Sequence, residues 1–188
     1  RGNRARQPSD DGKGRHEPNT STCEQPTFGH RGRRIINLRG SMVNRPKPPT
    51  RAGYPVFRTL TSRWFDNDIY GHINNTVHYE LFDTAVNGYL VEEGVLDLRN
   101  SPTVFLVVNS GCSYFSELTF PDVINAGLRV TKLGSSSVQY DIGLFSRESG
   151  WAAASGHFVH VNVDRQTRRP VRITDHARDV LKELMAEE

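Results

Sequence analysis

The chain has 188 residues, with 24 Lys and Arg against 21 Asp and Glu and a sequence pI near 9.0. That length suits one domain with a real core, and no stretch approaches the roughly 18 apolar residues needed to cross a membrane. The basic character is local: residues 1–50 hold 11 Lys/Arg and 4 Asp/Glu (net +7), residues 51–188 hold 13 and 17 (net −4), and together they give the net +3, so the pI is no ground for a nucleic-acid-binding fold.

Residues 1–50 are rich in Arg, Gly, Pro, Ser and Asn, with Ile35-Ile36 as their apolar cluster. Such a segment buries too little surface to offset its ordering entropy, so we expect it to be disordered. Met42, followed by a Pro-rich lead-in, is the expected natural start, with added or over-extended sequence upstream; the folded domain is expected over 54–188. No secretory leader is visible at the start of the sequence. Two cysteines, Cys23 and Cys112, are too few for a disulfide framework or a zinc site. A cytoplasmic chain is expected, with Cys112 as an inert thiol in a strand.

From Tyr54 the texture changes. Val56–Trp64 alternates as a strand, and 63–75 is polar and turn-like, with Asp66-Asn67-Asp68 and Gly71. Thr76–Glu93 has helical spacing: Val77, Leu81, Ala85 and Tyr89 form one stripe, broadened by Phe82, Val86 and Leu90. Asn74 or Asn75 suits its N-cap and Gly94 its end. Strands are then expected at Thr103–Phe115, with a bulge at Gly111, at Val123–Leu133, at Ser137–Ser146, with Val138, Tyr140, Ile142 and Leu144 on one face, and at Trp151–Asp164. Val171–Ile173 reads as a short extension, and Thr174 caps a last helix through Met185. Short links between the strands predict an antiparallel sheet with helix packed on it, an α+β arrangement.

Asp66, Asp68, His72, Asn74 and Asn75 fall within ten residues, just before a helix N-terminus. Free N–H groups there suit a developing oxyanion. A nearby carboxylate suits a base or nucleophile, and an imidazole suits positioning or proton transfer. The same residues also make ordinary turns and caps, and spacing alone leaves both readings open. A lone Asp-x-Asp with one His lacks a metal ligand set, so no metal is expected.

Arg63 to Asn75 (Arg-Trp-Phe-Asp-Asn-Asp-Ile-Tyr-Gly-His-Ile-Asn-Asn), then Val77 and Tyr79, resembles the signature of hotdog thioesterases of the 4-hydroxybenzoyl-CoA thioesterase and acyl-CoA thioesterase group. Tyr114, Phe120-Pro121-Asp122, 130–137, 163–165 and 169–171 follow the same template, so the likeness covers roughly 56–185. The resemblance implies a hotdog fold: about five to six antiparallel strands wrapped around one long central helix, plus a C-terminal helix. It implies hydrolysis of an acyl-CoA or acyl carrier protein thioester without a cofactor. Asp68 would be the catalytic carboxylate, His72 the active-site histidine, and Asn74-Asn75 the lead-in to the oxyanion helix. Tyr70, Gly71 and Thr76 would lie against the substrate, and Glu80 and Asp83 are reserve acids. Tyr70 stands where plant acyl-ACP thioesterases carry Asn, and Leu118–Phe120 lacks the Arg-Pro pair expected of close relatives. Lys132, Ser135 and Ser136 are candidates for the CoA phosphates, as are Arg129, Arg147, Arg168 and Arg169. Homodimers or homotetramers are implied, with no membrane or nucleic-acid partner. A hotdog hydratase or dehydratase and a non-catalytic thioester binder are the alternatives.

Overall fold

The computed structural model describes residues 46–185. The expectations for residues 1–45, Met42 and Cys23 included, lie outside them. Residues 46–53 belong to the folded unit: Thr50 bridges Trp151, and Ala152 N–H donates to Pro49 O at 2.9 Å.

Five strands, β1 (Val56–Thr61), β2 (Thr103–Tyr114), β3 (Val123–Leu133), β4 (Ser137–Ser146) and β5 (Ala154–Asp164), form one antiparallel sheet in the order β1-β3-β4-β5-β2. β1 and β2, consecutive in the chain, lie at opposite edges. The connection between them holds helix α1 (Asn75–Glu92), which packs across the sheet, and α2 (Asp175–Glu183) closes the chain.

Pattern and core agree. The α1 residues Val77, Leu81, Phe82, Ala85, Val86, Tyr89 and Leu90 are all buried, and they meet Val138, Tyr140, Ile142 and Leu144 of β4. Each Val, Leu, Ile or Phe side chain among them contributes about 1.5–3 kcal/mol of burial. Gly94, at φ 68, ends α1 in the left-handed conformation expected of it. A smaller cluster of Tyr54, Phe145 and Ala152 forms separately, with the Arg51 guanidinium over the Phe145 ring.

Several boundaries differ from expectation, for local reasons. β1 stops at Thr61 because Arg63 opens a 3-10 turn, Trp64–Asp66, in which its N–H donates to Asp66 Oδ2 at 2.6 Å. The irregularity in β2 lies between Val107 and Asn109, not at Gly111. Gly111 lies opposite His157, and Gly156 opposite Cys112, in the β2–β5 pair: a Cβ on Gly111 would lie 2.5 Å from the His157 ring, and one on Gly156 would lie 2.3 Å from the Phe82 ring and 2.8 Å from Gly111 O. Trp151 bridges Thr50, so β5 starts at Ala154. Val171–Ile173 is not a strand; Asn162 Nδ2 holds it through Val171 O and Arg172 O. α2 ends at Glu183, short of Met185.

One buried group stands out in the core. His160 on β5 is 1% exposed, and neither ring nitrogen has a hydrogen-bond partner among the described residues. Phe105 stacks on it, and Tyr140 and Phe158 are its other ring neighbours. Burial pulls its pKa from 6.5 to about 4, so it is neutral.

Candidate active site

The loop between β1 and α1 is pinned at both ends. Asn74 N–H donates to Asp66 O at 2.8 Å, and Ile73 N–H to Leu118 O at 2.7 Å. Asn67 ties the loop to the β2–β3 connection: its Nδ2 donates to Thr119 Oγ1 and its Oδ1 accepts Phe120 N–H. Thr119 Oγ1 in turn donates to Gly71 O at 2.8 Å.

The two aspartates divide the work. Asp66 is 2% exposed, and its carboxylate accepts the Arg63 N–H and Nε–H. Arg63 also pairs with Glu80 at 2.7 Å. Asp66 is thereby a structural cap. Asp68 sits in a tighter inner loop, with its N–H bonded to His72 O at 2.8 Å and its O accepting Gly71 N–H at 3.1 Å. Gly71, at φ 86, supplies the left-handed turn. Asp68 Oδ1 accepts Tyr70 N–H at 2.8 Å and His72 N–H at 3.4 Å, while Oδ2 has no partner among the described residues. The loop thus orients the carboxylate by one oxygen and leaves the other without a partner among the described residues.

His72 is half-exposed, with Nε2 3.1 Å from Glu117 Oε2. Tyr70 is 76% exposed, and its backbone rather than its ring meets Asp68.

At the helix start the donors are nearly all taken. Asn74 is the N-cap, its Oδ1 accepting Thr76 N–H at 3.1 Å and Thr76 Oγ1–H at 3.0 Å. Asn74 O accepts Val77 N–H at 2.9 Å and lies 3.1 Å from His78 Nδ1. Tyr114 Oη–H donates to Asn75 O at 3.3 Å. Among the described residues the Asn75 N–H has no hydrogen-bond partner. Asp68, His72, Asn74, Asn75, Tyr70, Gly71 and Thr76 are therefore gathered in one region.

The sequence reading missed His78, Tyr114 as a site residue, Asn67 and Thr119. His78 is 4% exposed, and burial lowers its pKa against the smaller opposing effect of its bond to Asn74. Burial raises the Tyr114 phenol and the Cys112 thiol beside it. Arg63–Asp66 had a local signal, the i, i+3 spacing of a capping box; the contacts of Tyr114 and Thr119 are long-range and had none.

Lys132, Ser135 and Ser136 lie elsewhere. Ser135 O accepts Ile173 N–H and Ser136 O accepts Asn162 N–H, which places their turn beside the end of β5. The helix start lies beside Tyr114, which pairs with Ala154 at the beginning of β5. About 26 Å of strand, from Asn162 to Ala154, separates the two within one chain. Of the other candidates, Arg129 is paired with Asp141, and Asp83 accepts Asn87 Nδ2–H at 2.9 Å. A cleft of about 270 Å³ between β1 and α1 is lined by Arg63, Asp66 and Glu80, not by Asp68. Among the described residues no three His, Cys, Asp or Glu side chains are placed to hold a metal ion, and no helix is long and apolar enough to cross a membrane.

Residues 62–181 match the thioesterase-like superfamily. The fold is similar to that of the PA5185 protein of Pseudomonas aeruginosa PAO1, 48% identical, with a TM-score of 0.73 over 76% of this chain and 99% of that one. It is similar to a Thermus thermophilus thioesterase solved with coenzyme A and Zn, 26% identical, TM-score 0.57, over 72% and 98% of the two chains. It also resembles Slr0204, a 1,4-dihydroxy-2-naphthoyl-CoA thioesterase from Synechocystis, in fold: 17% identity, TM-score 0.62, covering 68% and 96%.

Proposed function

Since this chain belongs to the thioesterase-like superfamily, we propose that it hydrolyses an acyl-CoA thioester to the free acid and coenzyme A, with Asp68 as the catalytic carboxylate. The observation that carries this reading is the split role of that side chain. Oδ1 is held by two loop N–H groups and Oδ2 is open, in the loop that leads directly to an uncommitted helix N–H.

In the reaction proposed, the thioester carbonyl lies at the start of α1. Asp68 takes a proton from water, and the oxygen attacks the carbonyl carbon. The tetrahedral oxyanion is met by the Asn75 N–H and the positive end of the helix. The C–S bond breaks, and the proton passes to the departing thiolate. In the nucleophilic variant Asp68 attacks directly, the C–S bond breaks to leave a mixed anhydride, and water hydrolyses it. His72 and Asn74 hold the geometry. A resident metal or redox group has no step in this scheme.

The reading extends to a second copy of the chain. β2 is an edge strand that exposes Val107 and Val108, a surface that needs covering. Antiparallel pairing of two β2 edges sets the Thr103 end of one subunit beside the Tyr114 end of the other. The turn holding Ser135 and Ser136, with Lys132, then comes from the second subunit to the end of the sheet where Asp68 lies. That arrangement gives those residues access to CoA phosphates.

The test is thiol release from a panel of acyl-CoAs, short, long and aromatic, with Asp68→Asn as the control. Turnover by the wild type that falls by about 10²–10⁴ in the variant is expected. Near wild-type turnover in Asp68→Asn sinks the assignment. Enoyl-CoA consumed without thiol release selects a hydratase, and saturable binding without release selects a binding protein. A single turnover in ¹⁸O-water tests the nucleophilic route: label in the Asp68 carboxylate requires the mixed anhydride, opened by water at the Asp68 carbonyl carbon.

A further inference from the structure

We propose that His78 and Tyr114 are positioning residues that aim the Asn75 N–H at the reacting carbonyl, an inference that rests on the hydrolase reading for its kinetic arm only. A peptide unit is planar and trans, so its C=O and N–H point in opposite directions. The unit between Asn74 and Asn75 has its oxygen held twice, by Val77 N–H at 2.9 Å and by His78 Nδ1 at 3.1 Å. Its N–H must therefore point away from the helix body. The next unit is held at its oxygen by Tyr114 Oη–H and at its nitrogen by the Asn74 side chain. With both neighbouring peptide planes anchored, the Asn75 backbone cannot rotate to lower the energy of an unoccupied donor.

His78 does more than fill space. A carbonyl oxygen only accepts, so the ring nitrogen facing Asn74 O must carry the hydrogen. His78 is 4% exposed, and burial lowers its pKa, so the ring is neutral, protonated at Nδ1 and bare at Nε2. Tyr114 packs edge-on against the ring, centroids 5.0 Å apart at 84°, which fixes its plane. A hydrogen bond received by a peptide oxygen polarises the amide and strengthens its own N–H as a donor. His78 thus both points and strengthens the Asn75 donor, from a site that does not touch substrate. A neutral ring also suits this position, because a cation would oppose the positive end of the helix.

The experiment uses the full chain, with His78→Phe, His78→Gln and Tyr114→Phe. In His78→Phe the ring stays against Tyr114 but the donor is gone; in His78→Gln an amide donor can reach Asn74 O. Two readouts are taken: kcat and KM on the best acyl-CoA, and ¹⁵N–¹H NMR of the Asn75 amide and the His78 ring. We expect wild-type His78 to show one protonated Nδ1 and one bare Nε2. We expect His78→Phe to shift the Asn75 amide and lower kcat by about 10- to 100-fold, below the full loss of an oxyanion donor, with KM within about threefold. His78→Gln should recover part of both changes, and Tyr114→Phe should lower kcat by a smaller factor. An Asn75 amide that does not move in His78→Phe, a loss confined to KM, or no recovery in His78→Gln overturns the proposal. If the wild type releases no thiol from any acyl-CoA, the hydrolase reading fails, and the ring tautomer and amide shifts still decide whether His78 sets the Asn75 donor.

Discussion

Asp66 and Asn74 are joined by a backbone hydrogen bond of 2.8 Å from the Asn74 N–H to the Asp66 carbonyl. That bond closes the loop in which Asp68 sits and attaches the start of α1 to the 3-10 turn that follows β1. The Asp66 carboxylate caps the preceding turn, and the Asp68 carboxylate is held at the loop's open side.

This separation predicts opposite signatures for two similar changes. Asp66→Ala removes the acceptor for Arg63 N–H and Nε–H at a site 2% exposed, and should cost about 1–3 kcal/mol of stability. Asp68→Asn keeps an oxygen for Tyr70 N–H and His72 N–H, and should change stability by less than about 0.5 kcal/mol while turnover collapses. Urea denaturation beside thiol-release kinetics reads both. A destabilised Asp68→Asn, or an unchanged Asp66→Ala, would reverse the roles.

At Gly156 the Phe82 side chain of α1 lies close against the backbone of β5. A methyl group there runs into the Phe82 ring and into the Gly111 carbonyl, which is backbone and cannot swing aside. Gly156→Ala should cost about 1–3 kcal/mol, seen as a lowered Tm. Phe82→Leu in the same chain should restore part of the loss if the clash with the ring is the cause.

His160 makes stability depend on pH. Its folded pKa of about 4 lies below the ordinary 6.5, so on acidification the unfolded chain takes up the proton first. Stability is therefore full above pH 6.5 and is lost as pH falls towards 4, by up to about 3 kcal/mol. His78, also lowered by burial, adds in the same direction. His160→Leu should flatten the slope between pH 6.5 and 4, and at pH 7 it should equal or exceed the wild type, since it removes two buried nitrogens that have no partner among the described residues. An unchanged slope in chemical denaturation across that range would refute this.

The exposed β2 edge predicts association. Val108 is 61% exposed on that strand. Sedimentation velocity should show dimers or larger species for the wild type, and Val108→Lys should shift them towards monomer and reduce turnover together. A wild type that stays monomeric at micromolar concentration would remove β2 pairing from the proposal.

Much of the fold was legible because it is periodic. The alternation of Val138, Tyr140, Ile142 and Leu144, and the stripe from Val77 to Leu90, each report a face that must be buried. The cap at Asn74 and the stop at Gly94 are local chemistry, readable within a few residues. What escaped was set by distance in the chain. Gly111 has the look of a bulge residue, but its smallness answers to the His157 ring across the pair; the irregularity at Val107–Asn109 has no glycine to announce it. His78 carried no signal of its own, because nothing nearby in sequence told of Tyr114 on β2. The candidate site was visible as a cluster of residue types, and the division of labour between Asp66 and Asp68 became physical only when Arg63 was seen to occupy one of them.

The strand order has a consequence for synthesis. β3, β4 and β5 form hairpins with short links, whose closure entropy is low. β2 is made before all of them, yet its partner in the sheet is β5, with Thr103 opposite Asp164. A nascent chain must hold β2 unpaired until almost the whole domain has left the ribosome, and the Tyr114 contact that steadies the start of α1 cannot mature earlier. The site would mature in one late step, so a truncation just before Ala154, which removes β5, should release a chain with β2 unpaired and no competent site.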